Sequence, residues 1–345
     1  MKILSSTLIA AAAIALLSSC GHNVSNESIV HEDGSIKKTI SFYHRDPKKG
    51  ESEKMMGVSE QTGWTKKDLP VDTASDEKAY QVQYTKAFES VDALNEEQGR
   101  YTDTTFRITS TFEKKFRWFY TYFYYSDTYH RINRMKLPID QYVTPEDSAF
   151  VERLPAEGKK ISLADSVHLA LLNEKWFDKY GTAAIGDEYF DIVYDLMKSQ
   201  NIDERWKDSI ALHKDAMFND LLDGDGKNAG SLIDLLDSLG VPLDYAFARR
   251  EFAMRSKVIE SKLAFISWAS EGTYQHVIAM PGKVVSSNAD SVIGNRLLYH
   301  PPVIKFLIMD HKLHATSRKL NLWAVITTVV ILGLTIVLFA RRRKE

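Results

Sequence analysis

The stretch that most constrains this chain runs from Leu320 to Ala340, 21 residues without a charge, closed by Arg341-Arg342-Arg343-Lys344. As a helix rising ~1.5 Å per residue it would measure roughly 31 Å, about the thickness of a bilayer's hydrocarbon core. Its polar side chains are Asn321, Thr327, Thr328 and Thr335, and a threonine hydroxyl can bond back to its own helix. Trp323 lies near one end, where an amphipathic ring suits a membrane interface. The pattern predicts a transmembrane helix over 320–340, with 341–345 as a basic cytoplasmic tail.

The other end predicts a second anchor. Lys2 precedes a mostly apolar run from Ile3 to Leu17, and Leu17-Ser18-Ser19-Cys20 matches the lipobox of bacterial lipoprotein signal peptides. Small residues let the peptidase close on the backbone, and the thiol is the nucleophile that takes a diacylglycerol. Cys20 is the single cysteine of the chain. It is therefore the expected lipidation site, residues 1–19 are the expected signal peptide, and no internal disulfide can form. Export by the signal and arrest by the helix place the main domain outside a bacterial inner (cytoplasmic) membrane, in the periplasm of the cell envelope. The C-terminus is then cytoplasmic.

Composition supports a folded domain between the anchors, with 44% hydrophobic and 11% aromatic residues and a formal net charge of −2. The near-neutral total hides a segregation. Residues 140–272 carry 25 acidic against 15 basic side chains, and 273–345 carry 3 against 10. An acidic middle and a basic membrane-proximal end suit a domain whose middle points away from anionic headgroups. Neither part has the basic stripe that nucleic acid requires, so no nucleic-acid partner is expected.

Along the chain, residues 20–35 read as a tether and 36–139 as a β-rich part. Ile36 to Tyr43 is a predicted strand after the Asp33-Gly34 turn, and the polar residues 44–70 read as a long loop. Tyr80, Tyr84, Phe88, Val91 and Leu94 recur at helical spacing, predicting a helix from about Asp76 to Gln98 ended by Gly99. Thr104 to Phe112 alternates apolar and polar. Phe116 to Tyr125 then holds eight aromatics in ten residues. The pair reads as a hairpin turning at Lys114-Lys115, or as one bent strand. The second strand is either a core strand covered on both faces or one that shows a face to lipid or another apolar ligand. On that second reading Trp118, Tyr120, Tyr122 and Tyr124 share the ligand-binding face, since residues two apart on a strand point the same way.

Residues 140–272 read as an acidic helical insertion. Thr144-Pro145-Glu146 starts one helix, and Ser162 with Asp165 caps another over Leu163 to Tyr180. Asp187 to Met197, a run marked by Trp206, Ile210, His213, Met217 and Leu221, then Ser231 to Leu239 and Asp244 to Trp268 complete the set. Strands return over 273–318: Tyr274 to Met280, Lys283 to Ser287, Arg296 to Tyr299 and Val303 to Thr316. The expected fold is thus α+β, an antiparallel sheet from the N- and C-terminal parts of the exported chain, with the helices inserted.

Met280-Pro281-Gly282, Ser287-Asn288-Ala289, Gly294-Asn295 and Tyr299, leading into a C-terminal apolar helix, resemble the membrane-proximal part of LppM-type bacterial lipoproteins. The resemblance covers roughly 273–340 plus the signal peptide. It implies a lipobox, an exported α+β domain, a C-terminal anchor and the binding of hydrophobic ligands.

Catalytic motifs give little. Asp223-Gly224-Asp225-Gly226-Lys227-Asn228 to Asp234 resembles half of an EF-hand loop, but Lys227 occupies the fifth position and Asn228 replaces the turn glycine. His311 and His314 fall three apart on a predicted strand, hence on opposite faces, and are read as surface histidines. There is no Gly-x-Ser-x-Gly, no His-Glu-x-x-His and no phosphate loop, so no catalytic residue, metal ligand or cofactor is assigned. The expected function is non-enzymatic, either binding an apolar ligand such as a lipid or serving as a membrane-tethered partner of envelope proteins. The alternative is a cell-envelope hydrolase using a carboxylate pair.

Overall fold

The computed structural model describes residues 23–44, 51–71, 80–100, 104–223 and 230–343. The lipobox with Cys20, the polar run 45–50 and residues 224–229 of the 223–234 loop lie outside the described residues. The fold is α+β, with two antiparallel-rich sheets, many helices and one long apolar helix at the C-terminal end.

The strands are β1 (Asn23–Val30), β2 (Ile36–His44), β3 (Thr65–Leu69), β4 (Tyr80–Phe88), β5 (Ile108–Phe116), β6 (Tyr120–Tyr129), β7 (Thr273–Ala279), β8 (Lys283–Ser287), β9 (Ser291–Ile293), β10 (Arg296–Tyr299) and β11 (His311–Leu320). Sheet one has the order β3-β4-β2-β1-β7-β10-β9, antiparallel except for the parallel β1–β7 pair. Sheet two, β5-β6-β11-β8, is antiparallel throughout. In both sheets a strand that precedes the helices pairs with one that follows them, β1 with β7 and β6 with β11.

The helices are α1 (Glu51–Met55), α2 (Val91–Gln98), α3 (Pro145–Glu152), α4 (Leu163–Asn173), α5 (Thr182–Ser199), α6 (Glu204–Asp223), α7 (Gly230–Ser238), α8 (Tyr245–Glu271), α9 (Ile304–Ile308) and α10 (Leu322–Arg342). Caps explain several starts. Thr144 and Asp147 form a reciprocal capping box with Pro145 at the first turn, while Ser162 and Asp244 accept from Asp165 N and Phe247 N.

Two glycines are required by geometry. Gly34, at φ +91°, turns the β1–β2 hairpin, and a Cβ there would meet the Phe112 ring of sheet two at 2.9 Å. Gly282, at φ +79°, carries the chain from sheet one to sheet two, and a Cβ would approach Arg318 O at 2.5 Å.

One core fills the space between the sheets, and a second lies among the helices. Two long helical elements cross from one to the other. α8 contributes Phe252 and Ile259 to the helical core and Phe265, Trp268 and Ala269 to the main one. The Leu163–Ser199 run does the same in the opposite sense, from Trp176 and Tyr180 to Phe190 and Val193. The buried ion pair Lys262–Glu188, at 2.8 Å, sits where the two elements change core.

Several sequence expectations are corrected. The tether assigned to 20–35 contains β1, an interior strand of sheet one. Residues 44–70 hold α1, a turn of 3₁₀ helix at Glu60–Thr62, and β3, with Trp64 buried. Of the helix expected from Asp76 to Gln98, the first four residues lie outside the described ones, Tyr80 to Phe88 is a strand, β4, and only α2 is helical. A spacing of four at Tyr80, Tyr84 and Phe88 fits a two-residue period as well as a helical one. The helices expected over 163–180 and 187–197 are one continuous run, because α4 passes through a π-helical stretch, Glu174–Gly181, straight into α5. The strand expected over 303–316 begins at His311, after the short helix α9.

Candidate functional site

The aromatic stretch forms the hairpin that the alternation suggested, but its turn lies further on. Arg117 N donates to Tyr120 O at 2.7 Å and Tyr120 N to Arg117 O at 3.0 Å, so Trp118 and Phe119 are the connecting pair. Phe116 therefore ends β5, opposite Thr121. Tyr120, Tyr122 and Tyr124 share the outer face of β6, as expected from their spacing, whereas Trp118 stands at the hairpin tip away from that face. The expectation of a strand covered on both sides is corrected: Tyr120 and Tyr122 are half-buried and Tyr124 is exposed, while Thr121, Phe123, Tyr125 and Asp127 face the core.

The three tyrosines form a ladder, with ring centroids 6.4 Å apart from Tyr120 to Tyr122 and 6.5 Å from Tyr122 to Tyr124. The Arg318 guanidinium lies 4.5 Å over the Tyr120 ring and the Lys115 ammonium 5.2 Å over that of Tyr124. Tyr124 also borders an open depression of about 480 Å³ with Glu113, Lys312 and His314. The surface is thus aromatic and cationic, and it is a face rather than a cavity.

This face ends at α10. Asn321 is the one residue between β11 and that helix. Its backbone N–H donates to Phe119 O (2.9 Å), and its Nδ2 to Arg117 O (2.9 Å) and Trp118 O (3.2 Å). Its Oδ1 accepts from Thr121 Oγ1 at 2.8 Å. Trp323 stacks on Phe116 and meets Trp118 edge-on, and Trp118 Nε1 donates to Thr328 Oγ1 at 2.9 Å. α10 is otherwise exposed and is long and apolar enough to cross a membrane.

The inner face of β6 carries a different cluster, one that sequence reasoning missed. Asp127, fully buried between the sheets, accepts at Oδ2 from Lys38 Nζ (2.8 Å) and Ser28 Oγ (3.2 Å), with His276 Nε2 at 3.0 Å. At Oδ1 it accepts from Tyr125 OH (2.7 Å) and from Ser110 Oγ, which faces it across the ladder. Burial alone would raise its pKa, but the Lys38 charge and the His276 contact outweigh it and hold the carboxyl well below the usual carboxylate range. Burial holds His276 below its ordinary value, against the pull of Asp127. With the carboxylate fixing a proton on Nε2, His276 Nδ1 accepts from Tyr129 OH at 2.7 Å, and Asn26 Nδ2 donates to that hydroxyl at 3.1 Å.

Asp, His and Ser together invite a catalytic reading, and the geometry opposes it. A relay needs the carboxylate on one imidazole nitrogen and the hydroxyl on the other. Here Asp127 and Ser28 both face Nε2, with Ser28 at 3.3 Å, and the hydroxyl on Nδ1 is that of Tyr129, itself buried in the core and donating to the ring. Ser28, Lys38, Asp127 and His276 are also sealed from solvent. The cluster ties sheet one to sheet two. Its signal in the sequence was a charge in phase with apolar neighbours, Ile36-x-Lys38-x-Ile40 and Tyr125-x-Asp127-x-Tyr129.

The two C-terminal histidines do lie on opposite faces of β11, but only His314 is a surface residue. His311 is buried beside Glu152 (3.5 Å), and burial lowers its pKa and that of Lys305. These three residues and Asp290 line a cleft of about 210 Å³, below the ~300–1,000 Å³ of typical ligand pockets. In the partly described 223–234 loop, Asp234 is held by Arg249, at 2.8 Å from Nη2.

The fold and this surface define an α+β domain that carries one exposed apolar helix at its C-terminal end. No family model matches the sequence, and no curated protein matches it. Among solved structures, the chain is similar to the NMR structure of the folded domain of LppM from Mycobacterium tuberculosis, at 7% identity and a TM-score of 0.29, over 88% of this chain and 94% of that one. That is a weak structural resemblance, and a score so low carries no argument about activity.

Proposed function

We propose that the chain is a non-enzymatic lipoprotein of the bacterial envelope, anchored by acylated Cys20 and by α10, whose extracytoplasmic domain binds amphipathic lipid on the outer face of sheet two. The observation that carries this reading is the Tyr120–Tyr122–Tyr124 ladder, flanked by Arg318 and Lys115 and paired with β11, the strand that leads through one residue into an exposed apolar helix. Aromatic rings offer apolar contact while hydroxyls and cations meet a headgroup. The binding surface is a face, so the ligand stays partly in the bilayer rather than being enclosed.

The test is a thermal melt of the detergent-solubilised full chain with and without extracted envelope lipid. Lipid should raise the wild-type Tm, as a ligand bound to the folded state must. Tyr122→Ala and Arg318→Ala should lose most of that rise while keeping nearly the wild-type lipid-free Tm. No rise for wild type would remove lipid binding from the proposal.

A second reading, a tethered partner of envelope proteins, is favoured by a separate feature. Leu163, Val167 and Leu171 recur every fourth residue along α4 and are 83%, 54% and 56% exposed. Such a ridge suits a partner's apolar groove. Full chain cross-linked in membranes through Val167 would capture a discrete protein on this reading, and only lipid or solvent products on the first.

A further inference from the structure

Phe116, Trp118 and Phe119 crown the β5–β6 hairpin and are 56%, 47% and 43% exposed. Three large apolar rings at the tip of a soluble hairpin are unusual, and their polar surroundings make the tip more so. The carbonyls of Arg117, Trp118 and Phe119 all accept from Asn321. The Arg117 and Tyr120 amides are closed across the turn, and the Trp118 indole N–H is bound to Thr328. Thr328 Oγ1 in turn donates to Ala324 O at 2.7 Å. Backbone that enters hydrocarbon must satisfy its polar groups internally, and this tip does so for its three carbonyls and for the Arg117 and Tyr120 amides.

The helix sets the depth. Thr328 lies six residues beyond Leu322, the first residue of α10, so Trp118 reaches ~9 Å along the axis at ~1.5 Å per residue. The apolar run spans roughly 31 Å, little more than a hydrocarbon core, which leaves no slack to draw its first two turns out into water. Trp323, beside Phe116 and Trp118, completes an aromatic cluster of the kind found at membrane interfaces. Lys115 and Arg318 stand on the strands just above the tip, and Arg117 has the reach to extend its guanidinium back toward headgroups.

We propose that the 116–119 hairpin tip is a second membrane-contacting element, immersed in the outer leaflet of the bilayer that α10 crosses, alongside the first two turns of that helix. The inference rests on the reading that α10 spans a bilayer. Its occupant is lipid, because the tip is continuous with the helix and shares its depth. The domain is then held at two points rather than hung from one.

The experiment places a bimane fluorophore on single cysteines of the full chain in a Cys20→Ser background: Phe119→Cys at the tip, Ile331→Cys in mid-helix and Arg205→Cys in the helical part. Each protein is reconstituted in phosphatidylethanolamine–phosphatidylglycerol vesicles containing lipid spin-labelled near the headgroup or deep in the chain. Label at 119 should be quenched by the shallow probe at least threefold more than label at 205, and label at 331 most by the deep probe. Quenching at 331 with none at 119 beyond that at 205 would show a spanning helix and a dry tip, overturning the proposal alone. Absence of quenching at 331 would overturn the spanning reading and the proposal with it. Should Phe119→Cys fold poorly, Phe116→Cys reports the same depth, since residues on either side of the turn share the tip.

Discussion

The two faces of β6 are built from nearly the same amino acids and do opposite work. Its inner face presents Phe123, Tyr125, Asp127 and Tyr129 to a sealed space, where every hydroxyl and charge named above has a partner. Its outer face presents Tyr120, Tyr122 and Tyr124, whose contacts are one another and two cations. Aromatic content therefore does not separate core from surface in this strand. The separating feature is what stands opposite: β1, β2 and β7 supply donors and acceptors to the inner face, and no element covers the outer one among the described residues.

The sharpest way to break the comparison is Asp127→Ala. It leaves Lys38 buried without its counter-charge and His276 Nε2–H without its acceptor, and such losses cost about 3–5 kcal/mol. Chemical denaturation of the full chain should show a loss of that size. A loss under ~1 kcal/mol, the scale of an exposed ion pair, would mean that the network does not hold the sheets.

Acid should attack the inward faces next. Burial holds the His44 imidazole at about 4, below its ordinary 6.5, and His276 and His311 are shifted the same way. Below pH ~6.5 the unfolded chain takes up protons that the folded chain refuses. This stability is therefore complete above 6.5 and is lost as pH falls toward 4. For His44 alone the loss from pH 7.5 to pH 5 is about 2 kcal/mol. Denaturant midpoints at the two pH values measure it, and equal midpoints would contradict the burial of these rings.

The smallest effect belongs to the outer face. Tyr122→Ala removes two ring contacts from a half-open site, for about 1 kcal/mol. An inner replacement, Phe123→Ala, should cost about 3–5 kcal/mol. Equal losses for the two variants would show the outer face to be covered in the intact protein.

Much of the architecture could be read from residue patterns. Caps at Thr144, Ser162 and Asp244, the 21-residue apolar run and the aromatic hairpin each follow from local chemistry. β1 could not be read that way, because its buried positions include Asn26, which serves the Tyr129 hydroxyl, and Ser28, which serves Asp127 and His276, all far along the chain. Hydropathy cannot see a strand whose inner face serves a distant charge. The break expected between 180 and 187 failed for another reason: the π-helical stretch carries the chain past Gly181 without ending the helix. At the outer face, spacing placed three tyrosines together, but the turn type, and with it the position of Trp118, depended on pairing that no short window contains.

Asn321 has a mechanical consequence. A strand that meets a helix through one residue, with four hydrogen bonds from that residue to a neighbouring hairpin, is an elbow without a swivel. Helices in bilayers answer changes in thickness by tilting. On the proposal that α10 spans a bilayer, a tilt of roughly 10° would sweep any point of the rigid body ~40 Å away by about 7 Å, simple lever arithmetic on the length of a 27-residue helix such as α8. Membrane thickness would then be converted into the position of the helical arm, as a gauge needle converts pressure into angle.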